Sequence, residues 1–284
     1  MHLFLTDTTQ GPYATLPPDE SKHCIRVLRM QPGDELYVTS GDGTMCRARI
    51  FDPDPTACQV EITERLPDYG ARPFKLHMAV APTKNNARME WFVEKSVEIG
   101  IDRITPIICD HSERGALKTD RLERIALSAM KQSLQATLPI IDPPVNLPVF
   151  LQNRNSQFST LNSQKNLNSQ FSILNSQKNL NSQFSTLNSQ KNLNSQFSTL
   201  NSQKFVCHCV GDDRRTLHQL YTPGTDALVL IGPEGDFSPH EIAEVLAQGF
   251  QPVTLGNNRL RTETAALYAL TALNFMNGDL RIES

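Results

Sequence analysis

From residue 76 onward, short apolar runs alternate with stretches of helical periodicity, and this alternation restricts the fold more than any other feature of the chain. Residues 76–81 and 104–109 read as strands. Between them, 89–99 reads as a helix closed by Gly100, since glycine takes the left-handed C-terminal position without strain. A second helix opens at Thr119 or Asp120, and its Leu122, Ile125, Ala126, Ala129 and Met130 share a face. Further on come a strand at 205–210 and the run Ala227-Leu228-Val229-Leu230-Ile231. A helix with the capping box Ser238-Pro239-His240-Glu241 follows and ends at Gly249. A strand at 252–255 and a last helix over 263–276 complete the pattern. Strand and helix in alternation give a mostly parallel sheet covered by helices.

The first 70 residues have a different texture. Strands are expected at 35–38, 45–51 and 59–62, and the first two are joined by Ser40-Gly41-Asp42-Gly43, whose Asp-Gly pair is a hairpin signal. We read residues 1–70 as a small β-barrel domain, 67–73 as a linker, and 71–284 as the α/β domain. That second domain is interrupted at 155–204 by a tandem repeat of period 13, Asn-Ser-Gln-Phe-Ser-Thr-Leu-Asn-Ser-Gln-Lys-Asn-Leu, which runs three full times and part of a fourth. Solenoid repeats have periods from about 20 residues and a regular apolar face. Here Phe158, Leu161 and Leu167 project at roughly 0°, 300° and 180° on a helix, so no stripe forms. Asn, Ser and Thr are also poor helix formers. The block reads as a disordered low-complexity insertion on a surface loop.

Composition sets outer bounds. Apolar residues make up 39% and charged residues 20%, and the formal net charge is −3, as in a soluble globular protein. Residues 1–70 hold six Lys or Arg against eleven Asp or Glu, net −5, and the remainder holds 21 against 19, net +2. A nucleic acid would therefore be met by local patches and not by bulk charge. No apolar stretch reaches a membrane span, the N-terminus lacks the pattern of a signal peptide, and six scattered cysteines read as reduced thiols. These features place the chain in the cytoplasm. Cys207-His208-Cys209 could suggest a metal site, but zinc takes four ligands and no second Cys/His cluster exists, so it reads as part of a buried strand and no metal is expected.

Ligands of parallel α/β sheets bind beyond the carboxyl ends of the strands. Two glycine-bearing loops fall there: 231–236, and 255–265 leading into the last helix. Read alone, they are either a ligand site or tight turns with caps. Neither a G-x-G-x-x-G nor a G-x-x-x-x-G-K-[ST] pattern occurs.

Ile231-Gly232-Pro233-Glu234-Gly235, taken with Leu260-Arg261-Thr262-Glu263-Thr264-Ala265-Ala266, resembles the C-terminal signature of the RsmE family. These are 16S ribosomal RNA uridine-N3 methyltransferases of the SPOUT superfamily. The likeness extends through Pro82-Thr83-Lys84, Lys95-Ser96-Val97-Glu98-Ile99-Gly100, Ile104-Thr105-Pro106 and His23-Cys24-Ile25-Arg26-Val27-Leu28-Arg29, and so covers nearly everything outside the repeat. It implies a PUA-like RNA-binding barrel followed by a parallel sheet with a trefoil knot, one of the rare exceptions to unknotted topology. It further implies S-adenosylmethionine held in the knot, a homodimer, and 16S rRNA of the small ribosomal subunit as substrate. The target that the resemblance implies is uridine 1498 in the family's rRNA numbering. Carried over by residue, the cofactor contacts are Leu230, Gly232, Gly235, Leu255, Gly256, Leu260, Arg261, Thr264 and Ala265. Lys131-Gln132-Ser133-Leu134-Gln135 departs from the family in lacking an acid and an Arg.

Transfer to a uracil nitrogen needs alignment of nucleophile, methyl and sulfur, worth roughly 7–11 kcal/mol, and help with a weakly acidic proton. Arg261 could stabilise charge on the base carbonyls and Glu263 could take the proton, although a first-turn acid also suits the helix dipole. His23, Arg26 and Arg29 recur every three residues, so in a helical turn they share one side, and with Lys84 and Arg88 they are candidates to grip phosphate. The other reading of the first three is a solvated polar face. The rival functions are a related knotted enzyme acting on a ribose 2′-hydroxyl, and a non-catalytic RNA-binding assembly protein with the repeat as a tether.

Overall fold

Thirteen strands in two sheets appear in the computed structural model, which describes residues 2–113, 115, 117–160, 202–209 and 215–278. The N-terminal unit consists of β1 (Leu3–Leu5), β2 (Tyr13–Thr15), α1 (Pro18–Lys22), a π-helical turn (His23–Val27), β3 (Glu35–Thr39), β4 (Met45–Asp52) and β5 (Gln59–Leu66). Its strands lie in the order β1-β3-β4-β5-β2, antiparallel except for β1 beside β3. The sheet curls around Phe4, Leu16, Leu36, Val38, Ile50 and Val60. Its edge strands share no ladder among the described residues, and the Thr6 hydroxyl bridges the gap by donating to the Thr15 carbonyl at 3.1 Å.

The second unit contains β6 (Leu76–Val80), α2 (Asn86–Ile99), β7 (Arg103–Ile108), α3 (Thr119–Gln132), β8 (Ile140–Ile141), β9 (Val145–Asn146) and α4 (Leu147–Thr160). After the repeat come β10 (Gln203–Cys207), β11 (Arg215–Thr216), α5 (Leu217–Leu220), β12 (Ala227–Ile231), α6 (Pro239–Ala247), β13 (Gln251–Thr254) and α7 (Thr262–Asn277). All its strands are parallel, in the order β11-β13-β10-β12-β6-β7-β8, with β9 also on β7. The central strands β6 and β12 are buried at every position, and a parallel strand covered on both faces needs such a continuous apolar run. Their side chains alternate between two cores. Leu76, Met78, Val80 and Val229 meet Phe92, Leu122 and Leu270 of α2, α3 and α7, while Ala79, Leu228 and Leu230 meet Leu147 and Phe150 of α4 and Val245 of α6. The last strand, β13, slots between β10 and β11, an order compatible with a C-terminal knot.

Several local expectations change. Helix α3 begins at Thr119 with Lys118 as N-cap and no side-chain cap bond, so neither Thr119 nor Asp120 caps it. Helix α2 begins earlier than expected, because the Asn85 side chain accepts the Ala87 amide at 3.0 Å. Strand β10 begins at Gln203 and ends at Cys207, so the repeat's last two residues belong to the central sheet. Residues 161–201, most of the repeat, lie outside the described residues, as does Val210 of the expected strand. His23, Arg26 and Arg29 do not share a regular helical face. His23 and Arg26 lie in the π-helical turn, where the Leu28 amide donates to the His23 carbonyl at 3.0 Å, and Arg29 has left the helix with φ +56°.

The expected linker is anchored firmly. Arg72 lies over the Phe74 ring, donates to the Gly100 carbonyl at 2.6 Å, and pairs with Asp102 at 2.6 Å. The two units also join beyond α3, where Leu138 donates to Gly41 and Gly43 to Ala136, both at 3.0 Å. Lys131, in the segment that departs from the family pattern, pairs with Glu20 of the first unit. That departure therefore falls at the junction between units.

Candidate active site

Beyond the carboxyl ends of β10, β12 and β13 three turns enclose a cavity of about 320 Å³, within the size range of small-molecule sites. The β12 turn contributes Gly232, Pro233, Glu234 and Asp236, and the β13 turn contributes Leu255, Gly256 and the segment from Asn258 to Arg261. The third wall is Cys207, His208 and Cys209, at the end of β10. Backbone conformation shapes these walls. Gly256 has φ +116°, where a residue with a Cβ would be strained, and a Cβ on Gly232 would stand 3.0 Å from the Phe237 ring. The two main turns are tied together, since the Thr262 hydroxyl donates to the Gly232 carbonyl at 3.1 Å and Arg259 donates to the Glu234 carbonyl at 3.3 Å.

Of the residues expected at a cofactor, Gly232, Leu255, Gly256, Leu260, Arg261 and Ala265 line this cavity. Leu230 lies one residue short of the end of β12 and is buried in the core beneath α4 and α6. Gly235 turns toward His111, and Thr264 is exposed on the first turn of α7. Arg261 is the N-cap of α7 but makes no side-chain cap bond. A cation at a helix N-terminus opposes the dipole, so this arginine is placed against local preference, as functional residues often are.

Glu263 is 6% exposed, and one carboxylate oxygen, Oε2, is buried with no partner among the described residues. The other lies 3.6 Å from Nε of Arg88, on the first turn of α2. Lys84, just before α2, donates its backbone amide to Glu234 Oε1 at 3.1 Å, and its ammonium pairs with Glu113 at 2.8 Å. That carboxylate holds the Lys84 ammonium protonated above its ordinary range. Glu263, Lys84 and Arg88 do not line the cavity, although Lys84 is tied to the wall residue Glu234 and Glu263 follows the wall residues Arg261 and Thr262. His23, Arg26 and Arg29 are exposed on the N-terminal unit and line no part of it either.

Glu234 and Asp236 lie in the 231–236 loop that the sequence reading had marked, whereas it missed Cys207, His208 and Cys209 as wall residues. Their signal is the same carboxyl-end rule, applied to a third strand. It was unreadable in one dimension, because only the assembled sheet sets β10 between β12 and β13. Glu234, a wall residue, has an oxygen, Oε2, that is buried and unpartnered among the described residues, and so can accept a hydrogen bond from a ligand. No group of three or more His, Cys, Asp or Glu side chains among the described residues is placed to hold a metal, and no described helix is long and apolar enough to cross a membrane.

The model of an RNA methyltransferase domain matches residues 71–185 and 176–274, two segments that overlap inside the repeat, and that of an RNA methyltransferase PUA domain matches 16–63. A ribosomal RNA small subunit methyltransferase E of Buchnera aphidicola is 27% identical over 270 residues, covering 93% of this chain and 88% of the relative. A crystal structure described as a probable rRNA-methyltransferase from Porphyromonas gingivalis superposes with a TM-score of 0.76 at 34% identity, over 98% of each chain. A protein of Legionella pneumophila, solved with the cofactor SAM bound, superposes with a TM-score of 0.71 at 25% identity, over 97% of this chain and 98% of the other.

Proposed function

Because the chain belongs to the RNA methyltransferase family that includes the small-subunit enzymes called E (the RsmE family), we propose that it methylates N3 of a uridine in 16S rRNA from S-adenosylmethionine. The observation that carries this reading is the convergence of three strand-end turns on one cavity, with an unpartnered carboxylate oxygen of the wall residue Glu234 and another on Glu263, which follows the wall residues Arg261 and Thr262. The residues present fit the cofactor. Leu255, Leu260 and Ala265 offer apolar surface for an adenine, while Glu234 Oε2 offers an acceptor for a hydroxyl or ammonium group. When bound, S-adenosylmethionine supplies an electrophilic methyl group.

The chain's own residues do the rest. Glu263 accepts the N3 proton at Oε2, the oxygen turned away from Arg88, and Arg261 stabilises the charge that develops on the uracil carbonyls. N3 lies on the pairing edge, so the uridine enters unpaired. Lys84 and Arg88 meet phosphate near the reacting base, and His23, Arg26 and Arg29 meet it farther along the strand. A homodimer is supported by helix α7, which exposes Tyr268 (53%) and Phe275 (85%) one heptad apart. An adjoining cavity of about 660 Å³ shares Thr254, Leu255 and Gly256 with the first. The placement of β13 between β10 and β11 supports a trefoil knot in this domain.

Mass spectrometry of 16S rRNA nucleosides from a strain lacking this chain tests the reading. Loss of 3-methyluridine, restored by the wild-type chain, is expected. Loss of a ribose-methylated nucleotide instead, or an unchanged nucleoside profile, would refute it.

A further inference from the structure

The β12 turn contains a bracket that none of the roles above uses. Asp236 has φ +64°, a left-handed conformation that Asp tolerates because its short side chain bonds nearby backbone. Both of its carboxylate oxygens are engaged. Oδ1 accepts the Phe237 amide at 2.8 Å, and Oδ2 accepts the amide of Cys209, on the neighbouring β10 turn, at 2.7 Å. From the opposite side comes His111, in the loop that follows β7. Its Nδ1 lies 3.1 Å from the Gly235 carbonyl oxygen and 3.0 Å from that of Asp236. Carbonyl oxygens only accept, so Nδ1 must carry a hydrogen, as it does in one neutral tautomer and in the imidazolium.

Gly235 allows this approach, since a Cβ there would stand 2.9 Å from the His111 Cβ. The His111 loop is itself fixed on α6, where Ser238 donates to the Asp110 carboxylate at 2.7 Å and the Asp110 amide donates to Glu241 at 2.9 Å. Three loops from three different strands thus meet at one turn, and two of them wall the cavity.

We propose that His111 is a positioning residue for the cofactor cavity: together with Asp236 it pins the turn from Gly232 to Asp236 between the β7 and β10 loops, in the shape that receives S-adenosylmethionine. The choice of ligand rests on the functional reading above, whereas the bracket is a property of the protein alone. His111 does not line the cavity and acts only through the turn.

The test uses the full-length protein with two substitutions. His111→Asn keeps an N–H donor near the position of Nδ1, and His111→Leu keeps apolar bulk without a donor. Nitrogen NMR of the imidazole in the cofactor-free protein should show Nδ1 protonated. Calorimetry should show S-adenosylmethionine binding weakened about five- to tenfold by His111→Leu, the effect of losing roughly one hydrogen bond, and changed less than twofold by His111→Asn. With saturating cofactor, kcat should stay within twofold of wild type in both. Unchanged affinity in His111→Leu, equal loss in both variants, or a hydrogen only on Nε2 would overturn the bracket while leaving the functional reading intact. A wild-type protein that takes up no S-adenosylmethionine would overturn that reading, and this proposal with it.

Discussion

Replacing Glu263 by Gln separates catalysis from helix capping more sharply than any other substitution. The two side chains have nearly the same shape, so the change removes the charge and the proton-accepting oxygen while disturbing little packing. In the structure Oε1 faces Arg88 at 3.6 Å and Oε2 is buried and unpartnered among the described residues. If Oε2 receives the N3 proton, losing it should lower kcat by about 10²–10⁴, the usual contribution of a positioned general base. At 1.36 kcal/mol per tenfold, that is roughly 3–5 kcal/mol of barrier. If Glu263 serves only as a first-turn acid, Gln forfeits about 0.3–1 kcal/mol of dipole interaction. Removal of a buried charge offsets part of that loss, so the melting temperature should fall by about 4 °C at most. The assay is single-turnover methylation of small-subunit RNA at saturating cofactor, with cofactor affinity and melting temperature measured on the same preparations. A kcat within threefold of wild type would refute the reasoning and leave Glu263 as a helix acid.

Replacing Arg26 and Arg29 together by Ala should weaken RNA binding and reduce the slope of log affinity against log salt by about 1.5, and an unchanged slope would remove both from the interface. Replacing residues 161–201 with a short Gly-Ser linker should leave folding and methylation intact, since the repeat's apolar residues form no stripe that could pack on the sheet. Extending the deletion through residue 204 should cost about 2 kcal/mol or more in denaturant unfolding, because Gln203 Oε1 accepts the Thr222 amide at 2.7 Å and the Gln203 amide donates to Asp226 at 2.8 Å. An aromatic disulfide reagent should label exposed Cys209 first and Cys109 only on unfolding, because burial raises the Cys109 thiol far above its ordinary range. S-adenosylmethionine should slow labelling of Cys209, which lines the cavity, and equal rates with and without it would count against occupancy there.

The sequence by itself determined what depends on near neighbours along the chain. The capping box at Ser238 and Glu241, the left-handed glycine after α2 and the continuous apolar run of β12 each follow from steric and hydrogen-bonding rules that act within a few residues. Two of the three cavity walls were legible for the same reason, as glycine-bearing turns at strand ends. Only the tertiary structure decided the rest. It placed β13 beside β10 and so made Cys207–Cys209 the third wall, and it brought Arg88 to Glu263 across most of the second unit. It also drew Gln203 and Lys204 out of a low-complexity repeat into the central sheet. In each case the deciding energy is the pairing of backbone groups and the burial of apolar surface between segments far apart in sequence. No local pattern reports that energy until the sheet has closed.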